Sequence, residues 1–208
     1  MRILRGTLLN EKNLLFGATC FSANAGRHGV FENNYLDKMK TALYFGYGSN
    51  MSTQYLIKRR KIIPHESKVG VLKDYQLIMN MGGPNFLEPS FANIRNCKGV
   101  TVEGVIHRIA REDLQKIVNT EGEDYELVKL FIHVDGKKKT AYTLIYKTNE
   151  TKDIPPSKRY LKILISAAKE NNLSQKYIDS LESRTSVYYP ILSEIFSLRV
   201  YLWVWLRT

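Results

Sequence analysis

The stretch Leu43-Tyr44-Phe45-Gly46-Tyr47-Gly48-Ser49-Asn50-Met51 reads as an apolar strand that runs into a glycine turn and then opens a helix. Two glycines and two small polar residues at such a junction let backbone N–H groups point at one anion, and a helix N-terminus adds partial positive charge. The expected product is a small pocket for a carboxylate or phosphate. The turn lacks the lysine of a P-loop and the spacing of a dinucleotide fingerprint. Taken alone, it also reads as a plain change of chain direction.

Working outward, residues 42–148 are strand-rich and 157–199 helical, while 1–40 show no clear periodicity. Residues 42–47, 67–79 and 100–109 read as strands, and 81–89 as a loop by their Gly and Pro content. Asp135-Gly136 joins two strands, 125–134 and 140–146, in the clearest hairpin signal of the chain. Short helices are expected over 52–59 and 111–118. After Pro155-Pro156, Ser157 is a good N-cap for a helix to about residue 171 with Tyr160, Ile163, Leu164 and Ala167 as its apolar stripe. Ser174 caps a second helix through Leu181, and a third covers 187–198. Mixed strands and helices with antiparallel hairpins favour an α+β fold, a small mixed β-barrel surrounded by helices. The divisions are an N-terminal extension (1–40), a main domain (41–199) and an apolar C-terminal tail (200–208).

The 208 residues carry a net charge of +11, which by itself admits nucleic acid, an anionic surface or acidic small molecules. The densest basic clusters, Lys58-Arg59-Arg60-Lys61 and Lys137-Lys138-Lys139, fit a helix end and a hairpin turn, where cations are solvated. No zinc-finger, RNA-recognition or helix-turn-helix signature accompanies them, so no nucleic-acid partner is expected. Cys20 and Cys97 stand far apart and outside any CxxC pattern, which speaks against a disulfide framework or structural zinc and for a reducing compartment. His28, His65, His107 and His133 show no metal-ligand spacing, and no metal site is expected; His107 and His133 read as ordinary sheet residues. No apolar run is long enough for a transmembrane helix. The ending 198–206 reads as a docking segment or unusual tail. The basic start, Arg2, Arg5 and Lys12, admits an organellar leader beside the plainer reading of an extension.

Downstream stands Val118-Asn119-Thr120-Glu121-Gly122. A glutamate before a glycine at a helix end is ordinarily a solvated charge, and Glu123, Asp124 and Glu126 read the same way. Yet the string Tyr44-Phe45-Gly46-Tyr47-Gly48-Ser49-Asn50-Met51 resembles the Y-F-x-Y-G-S-N signature of the γ-glutamylcyclotransferase-like family, and Glu121-Gly122 resembles that family's catalytic Glu-Gly. Glu88-Pro89-Ser90-Phe91-Ala92-Asn93-Ile94, Val102-Glu103-Gly104-Val105 and Pro156-Ser157-Lys158-Arg159-Tyr160 resemble further segments, so the likeness covers residues 42–182.

The resemblance implies a γ-glutamylcyclotransferase-like barrel, a small-molecule γ-glutamyl substrate and release of 5-oxoproline. It implies Glu121 as general acid/base, with Tyr44, Phe45, Gly46, Tyr47, Gly48, Ser49, Asn50 and Tyr160 around the substrate. Ser49 and Asn50 either hydrogen-bond the substrate or brace the turn. No cofactor, a cytoplasmic location and a homodimer are implied in the same way. Burial favours the neutral form of a carboxylate and makes it a better base, so Glu121 belongs in a cleft. The family often has alanine where Gly46 stands, a mild change. Tyr125 follows Glu121 by four residues, as in bacterial-type members, which leaves the leaving group open. The alternatives from other classes are a non-catalytic binding module on the same fold and a basic nucleic-acid-associated protein.

Overall fold

The protein is described by a computed structural model over residues 40–206. The expectations for the N-terminal extension, its leader reading and Cys20 lie outside the described residues. Five strands, β1 (Thr41–Gly46), β2 (Glu66–Asn85), β3 (Glu88–Ala110), β4 (Tyr125–Val134) and β5 (Lys137–Tyr146), close into a barrel in the order β1-β3-β2-β4-β5. All pairings are antiparallel except the seam, where β1 meets β5 in parallel at Tyr44 and Tyr142. The described helices are α1 (Thr53–Arg60), α2 (Arg111–Glu121), α3 (Lys158–Glu170), α4 (Gln175–Glu182) and α5 (Leu192–Trp205). None of them is long and apolar enough to cross a membrane. The α+β barrel is thus as expected.

A steric slot fixes β1. Gly70 and Gly104 stand directly opposite each other on β2 and β3. The ring of Phe45 fills the space they leave: a Cβ on Gly104 would come within 2.8 Å of the Phe45 Cζ. Phe45 is fully buried, with Leu72, Met79, Val102, Val105, Ile132 and Val134 in the same cluster. A second cluster joins Tyr44, Leu56, Ile62, Ile109, Leu114, Ile117 and Leu144, and so seats α1 and α2 against the seam. The helix starts follow their caps: Ser52, Ser157 and Ser174 each accept from the N–H three residues on, at 3.3, 3.0 and 3.2 Å.

Several boundaries differ from the sequence expectation. Residues 81–85 and 88–89 belong to strands. β2 and β3 form one long hairpin whose register shifts at Lys73/Tyr75, Met79/Met81 and Gly82/Asn85 absorb the glycines and proline as irregularities. Gly83 is needed there, since a Cβ would overlap the Glu88 carbonyl. Both Asp135 (φ 50°) and Gly136 (φ 73°) have positive φ, as a two-residue hairpin turn of matching twist requires. That turn is so tight that Lys137, Lys138 and Lys139 are already in β5, on its exposed end. Helix α2 runs past residue 118 and stops at Glu121 because Gly122 takes φ 95°. The last helix starts at Leu192, later than expected, and continues through residue 200 to Trp205, so most of the apolar tail is helical. The helix expected straight after the glycine turn is interrupted: Ser49–Met51 make a single 3-10 turn, and α1 begins only after Ser52.

Candidate active site

Gly46 ends β1, and the chain turns at once. A Cβ on Gly46 would lie 2.6 Å from the Asn50 carbonyl oxygen, so alanine is not the mild change the sequence reading assumed. The turn is closed by Met51 N–H donating to Gly48 O at 3.0 Å and Ser52 N–H to Ser49 O at 3.2 Å. Among the described residues, the N–H groups of Gly48, Ser49 and Asn50 have no partner. They border a cavity of about 850 Å³. Because the turn is not the first turn of α1, these backbone donors, rather than a helix dipole, are what it offers an anion.

His107 supports the turn from beneath. It lies on β3, fully buried, with Nε2 3.0 Å from the Asn50 carbonyl oxygen and Nδ1 2.8 Å from Ser67 Oγ. A carbonyl only accepts, so Nε2 carries the proton and Nδ1 accepts from the serine. Burial pushes its pKa down from 6.5 to about 4, against the opposing pull of the Asn50 and Met51 backbone. It is therefore more than an ordinary sheet residue.

Glu121, the last residue of α2, lines the same cavity and is in a cleft, as expected. Its Oε1 accepts from Asn50 Nδ2 at 3.1 Å and is paired with the Arg60 guanidinium. Arg60 also donates to Thr120 Oγ1 and, from Nε, to Asn50 Oδ1 at 2.9 Å. Asn50 Nδ2 is within 3.0 Å of the Tyr44 hydroxyl as well. The Asn50 side chain is thus engaged in bracing the carboxylate, the guanidinium and the turn. Arg60 is the participant that the sequence reading missed. In the sequence it reads as a cation at a helix end, and nothing in its local sequence marks a contact with α2.

Tyr44, Tyr47, Tyr125 and Tyr160 stand on the walls near the turn and Glu121. Burial first of all pushes each phenol well above the usual tyrosine range, and for Tyr44 and Tyr125 the Glu121 charge is the next cause. They are neutral hydrogen-bonding groups, not bases. Tyr47 donates to Leu144 O at 2.5 Å and Tyr125 to Met81 Sδ at 2.7 Å. Tyr160 accepts from Ala92 N–H at 3.2 Å, which leaves its own proton for the cavity. Its hydroxyl also sits where a Cβ on Gly48 would approach to 3.3 Å. Of the residues expected at the site, Tyr44, Tyr47, Gly48, Ser49, Asn50, Glu121 and Tyr160 line the cavity. Phe45 and Gly46 do not; they hold the strand and the turn from behind.

The AIG2-like family matches residues 101–181. The γ-glutamylcyclotransferase of Mus musculus is 28% identical over 151 residues, covering 69% of this chain and 79% of the mouse protein. A solved γ-glutamyl cyclotransferase superposes with a TM-score of 0.64 at 25% identity, covering 73% of this chain and 92% of that one. The chain is similar in sequence and in fold to γ-glutamylcyclotransferases. Another relative, the γ-glutamyl cyclotransferase aclK of Aspergillus oryzae, is 24% identical over 177 residues. That match covers 74% of this chain and 65% of the fungal protein. The AIG2-like match takes in α2 with Glu121, all of α3 with Tyr160, and most of α4. It stops short of α5, which nevertheless contributes Glu194, Ser197, Leu198, Val200 and Tyr201 to the cavity.

Proposed function

We propose that this protein is a γ-glutamylcyclotransferase. It converts a γ-glutamyl amino acid or γ-glutamyl amine into 5-oxoproline and the free amino acid or amine. The observation that carries this reading is the meeting of Glu121 and the 47–50 turn on one cavity, a carboxylate and a set of unspent N–H donors in the same space.

A γ-glutamyl amide contains its own nucleophile. Its α-ammonium gives a proton to Glu121, and the freed amine attacks the γ-carbonyl carbon to form the lactam C–N bond. The tetrahedral intermediate then gives up a second proton from its ring nitrogen, the original amide C–N bond breaks, and the leaving nitrogen takes up both protons, the first returned by Glu121, to depart as an ammonium. Atoms and charge balance without a cofactor, and one carboxylate serves as base and then acid. The backbone donors of Gly48, Ser49 and Asn50 are suited to the substrate α-carboxylate, and the Tyr160 hydroxyl to an oxygen of the reacting centre. Holding the extended substrate in the folded, near-attack shape is worth several kcal/mol of the barrier. Glu121 and Tyr160 are the residues assigned here to the reaction, and Arg60 and Asn50 position the carboxylate. A homodimer, a cytoplasmic location and a role in glutathione metabolism are parts of the same reading, open to sedimentation, fractionation and metabolite measurement.

The test is an assay of 5-oxoproline over a panel of γ-glutamyl amino acids and amines, with Glu121→Gln alongside. Product from the wild type that is lost in the variant supports the reaction and its base. A wild type silent on the whole panel turns the reading toward a binding module on the same fold.

A further inference from the structure

Helix α5 lies beyond the family match, yet it forms one side of the catalytic cavity. Glu194, Ser197, Leu198 and Tyr201 follow the i, i+3, i+4, i+7 spacing of a single helix face, and all four line the cavity. Leu198 and Tyr201 are 59% and 67% exposed although they face it. Apolar surface is thus left in water beside the reacting centre. Across the same cavity stand Met81, Phe91 and Ile163. The α5 wall is anchored at its far end, where the Arg59 guanidinium lies 5.5 Å over the Trp203 ring.

The remaining polar groups on this side are few. Glu194 is occupied by the Tyr188 hydroxyl at 2.9 Å. Arg159 donates from Nε to Glu88 at 2.6 Å and lines the cavity with Arg59, so two guanidinium groups border the same space. A ligand that covers Leu198 and Tyr201 while offering an anion to those arginines removes apolar area from water and gains a charge partner.

We propose that α5 is the leaving-group subsite of this enzyme and selects γ-glutamyl amino acids whose leaving residue has a bulky apolar side chain. The proposal rests on the cyclotransferase reading for its chemistry, but its binding component can be read separately. The leaving side chain packs between Leu198 and Tyr201 of α5 and Phe91 of β3, and the leaving carboxylate meets the arginines.

Two measurements test it. First, kcat/KM for γ-glutamylphenylalanine is compared with that for γ-glutamylglycine, with γ-glutamylphenethylamine as the arm lacking the carboxylate. The expected wild-type preference for phenylalanine over glycine is about tenfold or more. Leu198→Ala and Tyr201→Ala narrow that ratio, and loss of the carboxylate lowers kcat/KM. A flat series in the wild type, or a ratio unmoved by both variants, overturns the proposal. Second, both tryptophans of the chain, Trp203 and Trp205, lie in α5, so intrinsic fluorescence reports on this helix directly. Titration of Glu121→Gln, with its fold verified by circular dichroism, is expected to give a saturable change with a lower Kd for γ-glutamylphenylalanine than for γ-glutamylglycine. Selective binding without any 5-oxoproline from the wild type would sink the cyclotransferase reading and leave the subsite standing. No selectivity in the titration overturns the subsite whatever the activity.

Discussion

Arg60 on α1 and Glu121 on α2 form an ion pair on the cavity wall, with side chains only 10% and 20% exposed. Their bond is shared: Asn50 accepts from the arginine and donates to the glutamate. The turn, the first helix and the Glu121 carboxylate are therefore tied together. Pairs this sheltered are costly to break from one side, because the surviving charge keeps its desolvation and loses its partner.

Glu121→Gln keeps the shape and removes the group proposed to carry the proton. We expect kcat to fall by about 10² or more, measured as 5-oxoproline release. Arg60→Met leaves the carboxylate held by Asn50 alone, and should lower kcat less, by about tenfold, while also reducing the melting temperature. If Arg60→Met left both quantities unchanged, the shared bond would have no positioning role.

Gly46→Ala asks the Asn50 backbone to move away from a methyl group placed 2.6 Å from its carbonyl oxygen. Such overpacking costs about 1–3 kcal/mol. Urea unfolding should show that loss, and activity should fall with it because the displaced residue is the one that holds Glu121.

His107 links the turn to pH. Its folded pKa of about 4 lies below the ordinary 6.5, so on acidification the unfolded chain takes up the proton first. The stability is fully present above about pH 6.5 and is lost as pH falls toward 4, to the extent of about 3 kcal/mol. Carboxylates add their own acid sensitivity, so the comparison is with His107→Gln. Between pH 7 and 4.5 the variant should lose less unfolding free energy than the wild type; parallel losses would refute the assignment.

Tyr160→Phe removes a hydroxyl that accepts from the Ala92 N–H. The orphaned donor should cost about 1–3 kcal/mol. If the hydroxyl also touches the substrate, kcat/KM drops beyond what the stability change explains, and steady-state kinetics on the folded variant separate the two effects.

Much of this architecture was legible because it is written in local chemistry. Asp135-Gly136 needs two positive φ values and announces its hairpin; Ser157 and Ser174 announce their helices by capping. The turn and Glu121 were legible through resemblance, since a lone glutamate before a glycine says little by itself. What stayed hidden depends on contacts between distant residues. Arg60 carries no mark that distinguishes it from Arg59, yet one reaches Glu121 and the other Trp203. The Gly82-Gly83-Pro84 run reads as a loop because irregular strand pairing has no local signature. Helix α5 is apolar around most of its circumference, so no stripe tells which side faces the cavity.

The parallel seam between Tyr44 and Tyr142 has a consequence for the order of events in synthesis. Thr41–Gly46 is early in the described chain, yet its neighbours in the barrel are the strands that end at Ala110 and Tyr146. As the ribosome delivers the chain, this strand has no sheet edge to join until β3 has emerged, and the barrel cannot close on it until β5 has. The glycine turn at its end stays unbraced for the same interval. Closure at this long sequence separation is a slow kind of step, and the cavity walled by the glycine turn, Glu121 and Tyr160 is among the last features of the domain to form.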